Sequence, residues 1–479
     1  MTTRLLVSPT RPGAHRTISA ALAAARPGSV ITVEPGRYDE SLVVGTPVSI
    51  TGQPGDEKVV IAPHRGSAVR LDADAVALSG LVLHSRDDQA PTLDVPAGQA
   101  ELSGCEVVGT AWTAIFVRDT GSLAMRESRV SNPAGAGVVV TSARSCVLDQ
   151  VVLEHFATSA VVTGDRGDPQ LRGCVVRDAR GNGVLANGEG RGTIEDCEIS
   201  GTEQPGIAVE AGAATTVRRT TVRGGTTGVL LATTGRPVLE DVRVLDSTGD
   251  AVVITKGTDA VVRRIRVERA GGAGMRIDER SRPGVEDCAV IGSGGPGVLV
   301  TSFAGPVIRG LTVEGTGGAA VEFADDTAGE LRDSRLRGGG LVVRDGANPL
   351  VQRVHVREPG QDGVTVSRTA RGRFEELTVT GAAQAALSVA GGADPVVTRL
   401  SAPQCGSAVR VAAEASLTLR DCDLEGSGGD AVVVHGTATL ARVRVTAAAG
   451  AGFASEGDGA AAAPPAPPAG AVGAGALGA

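Results

Sequence analysis

The chain has 479 residues, 42% of them hydrophobic, with 54 acidic against 46 basic side chains and a formal net charge of −8. That balance argues against a nucleic-acid partner, which requires a basic field, and no apolar run approaches the length of a membrane span. Aromatic residues make up only 2%, with one Trp and one Tyr, so a long carbohydrate cleft paved with stacking rings is not expected.

Residues 1–15 carry Arg4, Pro9, Arg11 and Pro12 but no apolar segment of the kind that directs secretion, and the expected location is cytoplasmic. The first predicted element is a helix over residues 17–26, capped by Thr17, favoured by its Ala and Leu content and stopped by Pro27-Gly28. At the start of a stacked β structure such a helix acts as a lid over unpaired strand edges. A strand around Val30-Ile31-Thr32-Val33, the turn Pro35-Gly36-Arg37-Tyr38-Asp39-Glu40 and a strand at Val48-Ser49-Ile50 follow. This order, with its Pro-Gly-x-Tyr-x-Glu turn, resembles the opening of pectin-lyase-like β-helix proteins. The resemblance implies that residues 1–60 cap and start such a coil.

Beyond residue 60 a phrase of about 23 residues repeats, centred on positions such as Leu81, Cys105, Val151, Cys174, Cys197, Val242, Ile265, Cys288, Leu311, Val354, Leu377 and Cys422. An apolar residue stands three before each centre and another two after it, as in Leu171, Cys174 and Val176, or Leu239, Val242 and Val244, which fixes an inward face. About ten residues after each centre comes Gly or Ala followed by a β-branched run, as in Gly228-Val229-Leu230-Leu231 or Ala251-Val252-Val253-Ile254, so each repeat holds at least two short strands. A leucine-rich repeat shares the apolar spacing, but it places Asn or Cys five residues past the centre, where this chain has Ala179, Thr202, Gly225 and Ser247. The predicted fold is therefore all-β: a right-handed, single-stranded parallel β-helix over residues 61–454, forming one continuous domain. Residues 455–479, rich in Ala, Gly and Pro and without charge beyond Asp458, are expected to be a disordered tail.

Five of the seven cysteines, Cys105, Cys174, Cys197, Cys288 and Cys422, occupy repeat centres where other copies carry Val, Leu or Ile, and no C-x-x-C spacing occurs. They are expected to act as small core residues, with Cys174 and Cys197 stacked as neighbours. The two positions before successive centres read Glu195-Asp196, Arg218-Arg219, Glu240-Asp241, Arg263-Arg264 and Glu286-Asp287. In an in-register coil these form a ladder of opposite charges that sets register and solubility, leaving little net field for a ligand.

Turn acids at Asp278-Glu279-Arg280, Asp325-Asp326 and Arg344-Asp345 are the best candidates for a Ca²⁺-dependent lyase or epimerase site on one flank; solvated turn residues explain them equally well. Asp165, Arg166 and Asp168, and Asp87-Asp88, lack a partner cluster, and the six histidines share no metal-like spacing. Neither Lys58 nor Lys256 lies in a P-loop. The motifs of polygalacturonases and pectinesterases are not present: the nearest strings are Arg264-Ile265-Arg266, Val434-His435-Gly436 and Gly235-Arg236-Pro237. No catalytic, cofactor-binding or metal-binding residue and no cofactor is therefore expected. The stretch from Leu5 to Ile18 is similar to bacterial proteins in which a β-helix precedes an AAA-type ATPase, which implies a recognition or scaffolding arm whose tail stands where a linker would. The expected function is non-catalytic binding of a protein or polysaccharide along a sheet face, with a polysaccharide lyase or epimerase acting on an acidic polysaccharide as the alternative.

Overall fold

The computed structural model describes residues 3–55, 57–425, 429–446 and 450–455. The expected disorder from 455 onward concerns residues outside that range, apart from Ser455, which ends the strand Phe453–Ser455. The chain divides into two compact units, residues 1–339 and 340–479. Each is a β-solenoid in which strands pair in parallel with their equivalents one coil later.

In the first unit a complete coil carries three strands. Thr113–Val117, Ala136–Val140 and Val161–Thr163 belong to a first column; Ser122–Arg126, Ser145–Asp149 and Asp168–Arg172 to a second; Arg129–Asn132, Val152–Phe156 and Val175–Ala179 to a third. Pairing is in register, so Leu123, Cys146 and Pro169 stack in one line and Met125, Leu148, Leu171 and Ile194 in the next. Each such leucine is fully buried, which contributes about 1.5–3 kcal/mol of transfer free energy per side chain. The second unit repeats the plan: Leu341–Val343, Val364–Val366 and Ala385–Val389 form its first column, while Leu350–Arg357 and Arg373–Thr380 run through the second and third as single strands.

The repeat centres lie where the second column turns into the third. Immediately before each centre the backbone adopts the left-handed conformation, with φ of +59° at Gly104, +54° at Asp196, +44° at Arg219, +55° at Asp241 and +51° at Arg264 in the first unit, and +56° at Glu376 in the second. This single inverted residue swings the chain through the corner, and in most coils of the first unit it also ends the second-column strand. The Gly of the phrase ten residues on has a different reason. A Cβ placed on Gly228 would fall 2.2 Å from Cγ1 of Val244, and one on Gly274 would fall 2.3 Å from Cγ1 of Val290, so the first column approaches the third too closely for a side chain.

At the start, strand Arg4–Val7 pairs with Ser29–Val33, and a helix spans Ile18–Ala24. The helix is shorter than the predicted 17–26: Ala25 already has an extended backbone, with ψ of 145°, so the chain leaves the helix before Pro27 is reached. Thr17 accepts from Ala20 N at 3.1 Å as the cap, and the Glu40 carboxylate accepts from Ile18 N and Ser19 N, both at 2.8 Å. Negative charge on a helix N-terminus is favourable. Tyr38 is buried and donates its hydroxyl to the carbonyl of Glu34 at 2.9 Å. The Tyr and Glu of the opening turn therefore tie the turn to itself and to the lid. Among the described residues no helix is long and apolar enough to cross a membrane.

Candidate functional site

Because the corner residue before each centre is inverted, side chains on both sides of the corner point outward into a shallow groove. In coils 218–268 this groove holds a cavity of about 430 Å³ lined by Arg219, Thr221, Asp241, Arg243, Arg264 and Arg266. Nearer the N-terminus the same corner forms a cavity of about 500 Å³ with Lys58, Glu106, Glu127, Arg129 and Gln150 in its wall.

The predicted charge ladder is present and accounts for Arg219, Asp241 and Arg264 of the first-named cavity. Arg219 donates to Asp196 at 2.8 and 3.0 Å and to Glu195 at 2.5 Å; Arg264 donates to Asp241 at 2.7 and 3.0 Å and to Glu240 at 2.6 Å. Arg218 and Arg263 reach Glu240 and Glu286 at 3.2 and 2.9 Å. Hydrogen bonds from Arg264 hold the Asp241 and Glu240 carboxyls below the usual carboxylate range, and those from Arg219 do the same for Asp196. Arg266 leans on Glu268 at 2.5 Å. Arg243, in register between Thr221 and Arg266, is exposed, and its guanidinium forms no ion pair with the described residues. The ladder thus fixes a lattice of donors and acceptors about one strand spacing apart, with one guanidinium left over.

A second charged feature is less exposed. Glu154 is 5% exposed and receives Arg177 Nε at 2.8 Å, with Arg129 on its other oxygen. Burial works to raise its pKa, but the hydrogen bonds from Arg177 and Arg129 outweigh that and lower it. Next to it His155 Nδ1 lies 3.5 Å from Asp178 of the following coil.

Within the first unit the flank acids at 278–279 and 325–326 do not lie on adjacent coils. Asp278 is buried and bonded to Arg276 at 3.0 Å, which also reaches Asp250 at 2.8 Å. Glu279 and Arg280 form the left-handed turn, with the Arg280 guanidinium 5.7 Å above the ring of Phe303, itself 56% exposed. The Ser302-Phe303 turn stands between this coil and the next one, where Asp325 accepts from the Thr301 hydroxyl. Asp345 belongs to the second unit and is paired there with Arg344 and Arg368. Asp87 is a turn residue, accepting from Gly66 N at 2.6 Å and Gln89 N at 2.8 Å, and Arg166 pairs with Glu189 at 3.4 Å. Among the described residues no group of three or more His, Cys, Asp or Glu is placed to hold a metal ion.

All seven cysteines are buried free thiols, including Cys146 and Cys405, which the repeat centres do not account for. Burial pushes the Cys146 thiol up to about 12 and Cys288 up to about 11. Cys174 and Cys197 do lie together, and their mutual hydrogen bond, with burial, raises the Cys197 thiol. Sequence reasoning missed Thr221, Arg243 and Arg266, because which polar positions face the groove follows only once the inverted corner residue is known. It also missed the contact of His155 with Asp178, which depends on the 23-residue offset between coils.

The profile of the family described as right-handed β-helix region matches residues 113–235, 159–313, 206–348 and 339–461. The chain belongs to this family. Solved structures similar to it include the pectin methylesterase PemA from Erwinia chrysanthemi, 13% identical over 44% of this chain and 80% of that one, with a TM-score of 0.30. Others are the periplasmic alginate epimerase AlgG, 12% identical over 64% and 78% with a TM-score of 0.39, and an alginate lyase from Paenibacillus, 12% identical over 58% and 92% with a TM-score of 0.26. No curated protein sequence matches the chain. At these identities the likeness is one of fold.

Proposed function

We propose that the chain is a non-catalytic binding module that holds a polysaccharide strand in the corner groove of coils 218–268. The observation that carries this reading is the cavity of about 430 Å³ in which Arg243, free of any ion pair with the described residues, stands among Thr221, Asp241, Arg264 and Arg266. A polyanion without hydroxyls would have nothing to donate to the carboxylates of every second rung, whereas a polyuronate carries both hydroxyls and carboxylates. A polyhydroxylated chain finds donors and acceptors alternating at about 4.8 Å, its hydroxyls facing Asp241 and Thr221. Arg243 adds a site for an acidic substituent on that chain, a carboxylate being well matched to a guanidinium. With no aromatic ring in the cavity wall, binding rests on hydrogen bonds and is weak.

Electrophoresis of the whole chain through native gels containing a polyuronate, or a neutral glucan as control, tests this. Retardation by the polyuronate that is lost in Arg243→Ala and Thr221→Ala supports the assignment. Equal mobility of the wild type in all gels counts against it.

A further inference from the structure

The column of repeat centres in the first unit brings two thiols together. Val151, Cys174, Cys197 and Thr220 occupy it on successive coils, and the backbone pairs identically at each step: Val175 N donates to Val151 O at 3.1 Å, Glu198 N to Cys174 O at 2.9 Å and Thr221 N to Cys197 O at 3.0 Å. Cys174 and Cys197 therefore stack one rung apart, at about 4.8 Å, inside the roughly 4.4–6.8 Å between α-carbons that a disulfide requires. Each follows a left-handed residue, Gly173 at φ +57° and Asp196 at φ +54°, so the two side chains run parallel from the corner into the core. A bridge needs the β-carbons to lean together only slightly, to ~4.5 Å. The two side chains already share a hydrogen bond.

Among the described residues of the first unit no other cysteine has a thiol on an adjoining rung. Cys105 stands between Leu81 and Ser128, Cys288 between Ile265 and Leu311, and Cys146 between Leu123 and Pro169. The pair lies just beneath the surface: Cys174 and Cys197 are 1% and 4% exposed. Cys105, at the same position of its own coil, forms part of the wall of the corner cavity of about 500 Å³, so this column is the floor of the corner groove. The two thiols are also unlike. Their shared hydrogen bond holds the Cys174 thiol below its usual value and, together with burial, raises that of Cys197. Cys174 is thereby the better nucleophile, since the thiolate is the reactive form.

The geometry points to a covalent modification site, at which Cys174 and Cys197 form a reversible disulfide when the protein meets a hydroperoxide. The Cys174 sulfur attacks one peroxide oxygen and the O–O bond breaks; the departing hydroxide takes the thiol's proton and leaves as water, giving the Cys174 sulfenic acid. The Cys197 sulfur then attacks the Cys174 sulfur, the S–O bond breaks, and the hydroxyl leaves as a second water with the Cys197 proton. Two thiols lose two electrons and one hydrogen peroxide is reduced to two waters. The new bond ties a coil to the next one and restricts the unfolded chain. It thereby stabilises the coil that supplies Glu195 and Asp196 to Arg219.

Excess hydrogen peroxide added to the folded whole chain, followed by alkylation of the denatured protein and peptide mass mapping without reductant, reads the bond directly. The expected product is a peptide linked through Cys174 and Cys197, lighter by two hydrogens and restored by dithiothreitol, while Cys105, Cys146 and Cys288 are alkylated. The oxidised chain should unfold at a higher urea midpoint than the reduced one. Roles are read from Cys197→Ser and Cys174→Ser, which the fold accommodates because Ser128 and Ser334 occupy this column in other coils. Dimedone should label a sulfenic acid at Cys174 in Cys197→Ser, and label Cys197 roughly fivefold less in Cys174→Ser. Thiols that all remain alkylatable, a link through any other cysteine, or irreversible sulfinic acid in place of the link overturns the inference. Equal labelling of the two variants overturns the assigned order of attack. Neither readout depends on a ligand in the corner groove.

Discussion

Replacing Gly228 by Ala sets two physical effects against each other with opposite signs. Intrinsic preference favours Ala in a strand by roughly 0.5–1 kcal/mol, because glycine loses more backbone freedom on folding. Packing opposes it: the new Cβ would lie 2.2 Å from Cγ1 of Val244 and 2.9 Å from the carbonyl oxygen of Ala251, whereas carbon atoms rest at about 3.5–4.0 Å. Val244 cannot easily retreat by more than an ångström, since it is fully buried and stacked in register between Val222 and Val267. Overpacking of this kind costs about 1–3 kcal/mol, so Gly228→Ala should be net destabilising by about 1–2 kcal/mol. The assay is urea unfolding followed by far-ultraviolet circular dichroism, where the midpoint falls at unchanged slope, with hydrogen exchange locating the loss in coils 228–254. Because Ala251 occupies the same column one coil on, Ala251→Gly should remove little more than a methyl group's worth of packing. A Gly228→Ala protein as stable as the wild type, or more so, would refute the close-approach argument.

Two further outcomes follow from the same geometry. Glu127 holds the left-handed corner at φ +47° with no ion pair to the described residues, and that conformation costs an L-residue about 1–2 kcal/mol; Glu127→Gly should therefore stabilise by about 0.5–1 kcal/mol after the added unfolded-state entropy, measured as a higher urea midpoint. Glu154, with its pKa lowered by Arg177 and Arg129 against the effect of burial, contributes stability above the unfolded carboxyl value of about 4.3 and loses it as pH falls through the lower folded value. The stability gap between wild type and Glu154→Gln should accordingly be widest near pH 7 and shrink in acid; a gap independent of pH would show that the carboxylate's charge is not what matters.

The coil itself was legible because a structural repeat writes the same inward pattern many times: Leu171, Cys174 and Val176 are buried as their spacing requires, and so are Leu239, Val242 and Val244. The charge ladder was legible for the same reason, since in-register stacking converts a sequence offset into a contact, as with Arg264 and Asp241. The corner was not. An inverted residue signals itself when it is glycine, as at Gly104, but Arg219, Arg264 and Glu376 hide it, because there the surrounding pairings overrule local preference. Missing the corner meant that Arg243 and Thr221 could not be assigned to a groove. Within the first unit the turn acids at 278–279 and 325–326 are separated by the intervening Ser302-Phe303 turn, which the sequence did not reveal. The helix end was misplaced by trusting Pro27, although the chain turns extended at Ala25.

The central claim, that coils 218–268 hold a polysaccharide through Arg243, is tested most directly by isothermal calorimetry of the whole chain with a defined oligouronate and with its carboxyl-reduced counterpart. The account predicts weak saturable binding of the oligouronate, weaker binding of the reduced form, and near-equal affinity for the two in Arg243→Ala. Undiminished preference for the oligouronate in Arg243→Ala, or no heat of binding with either ligand, would contradict it.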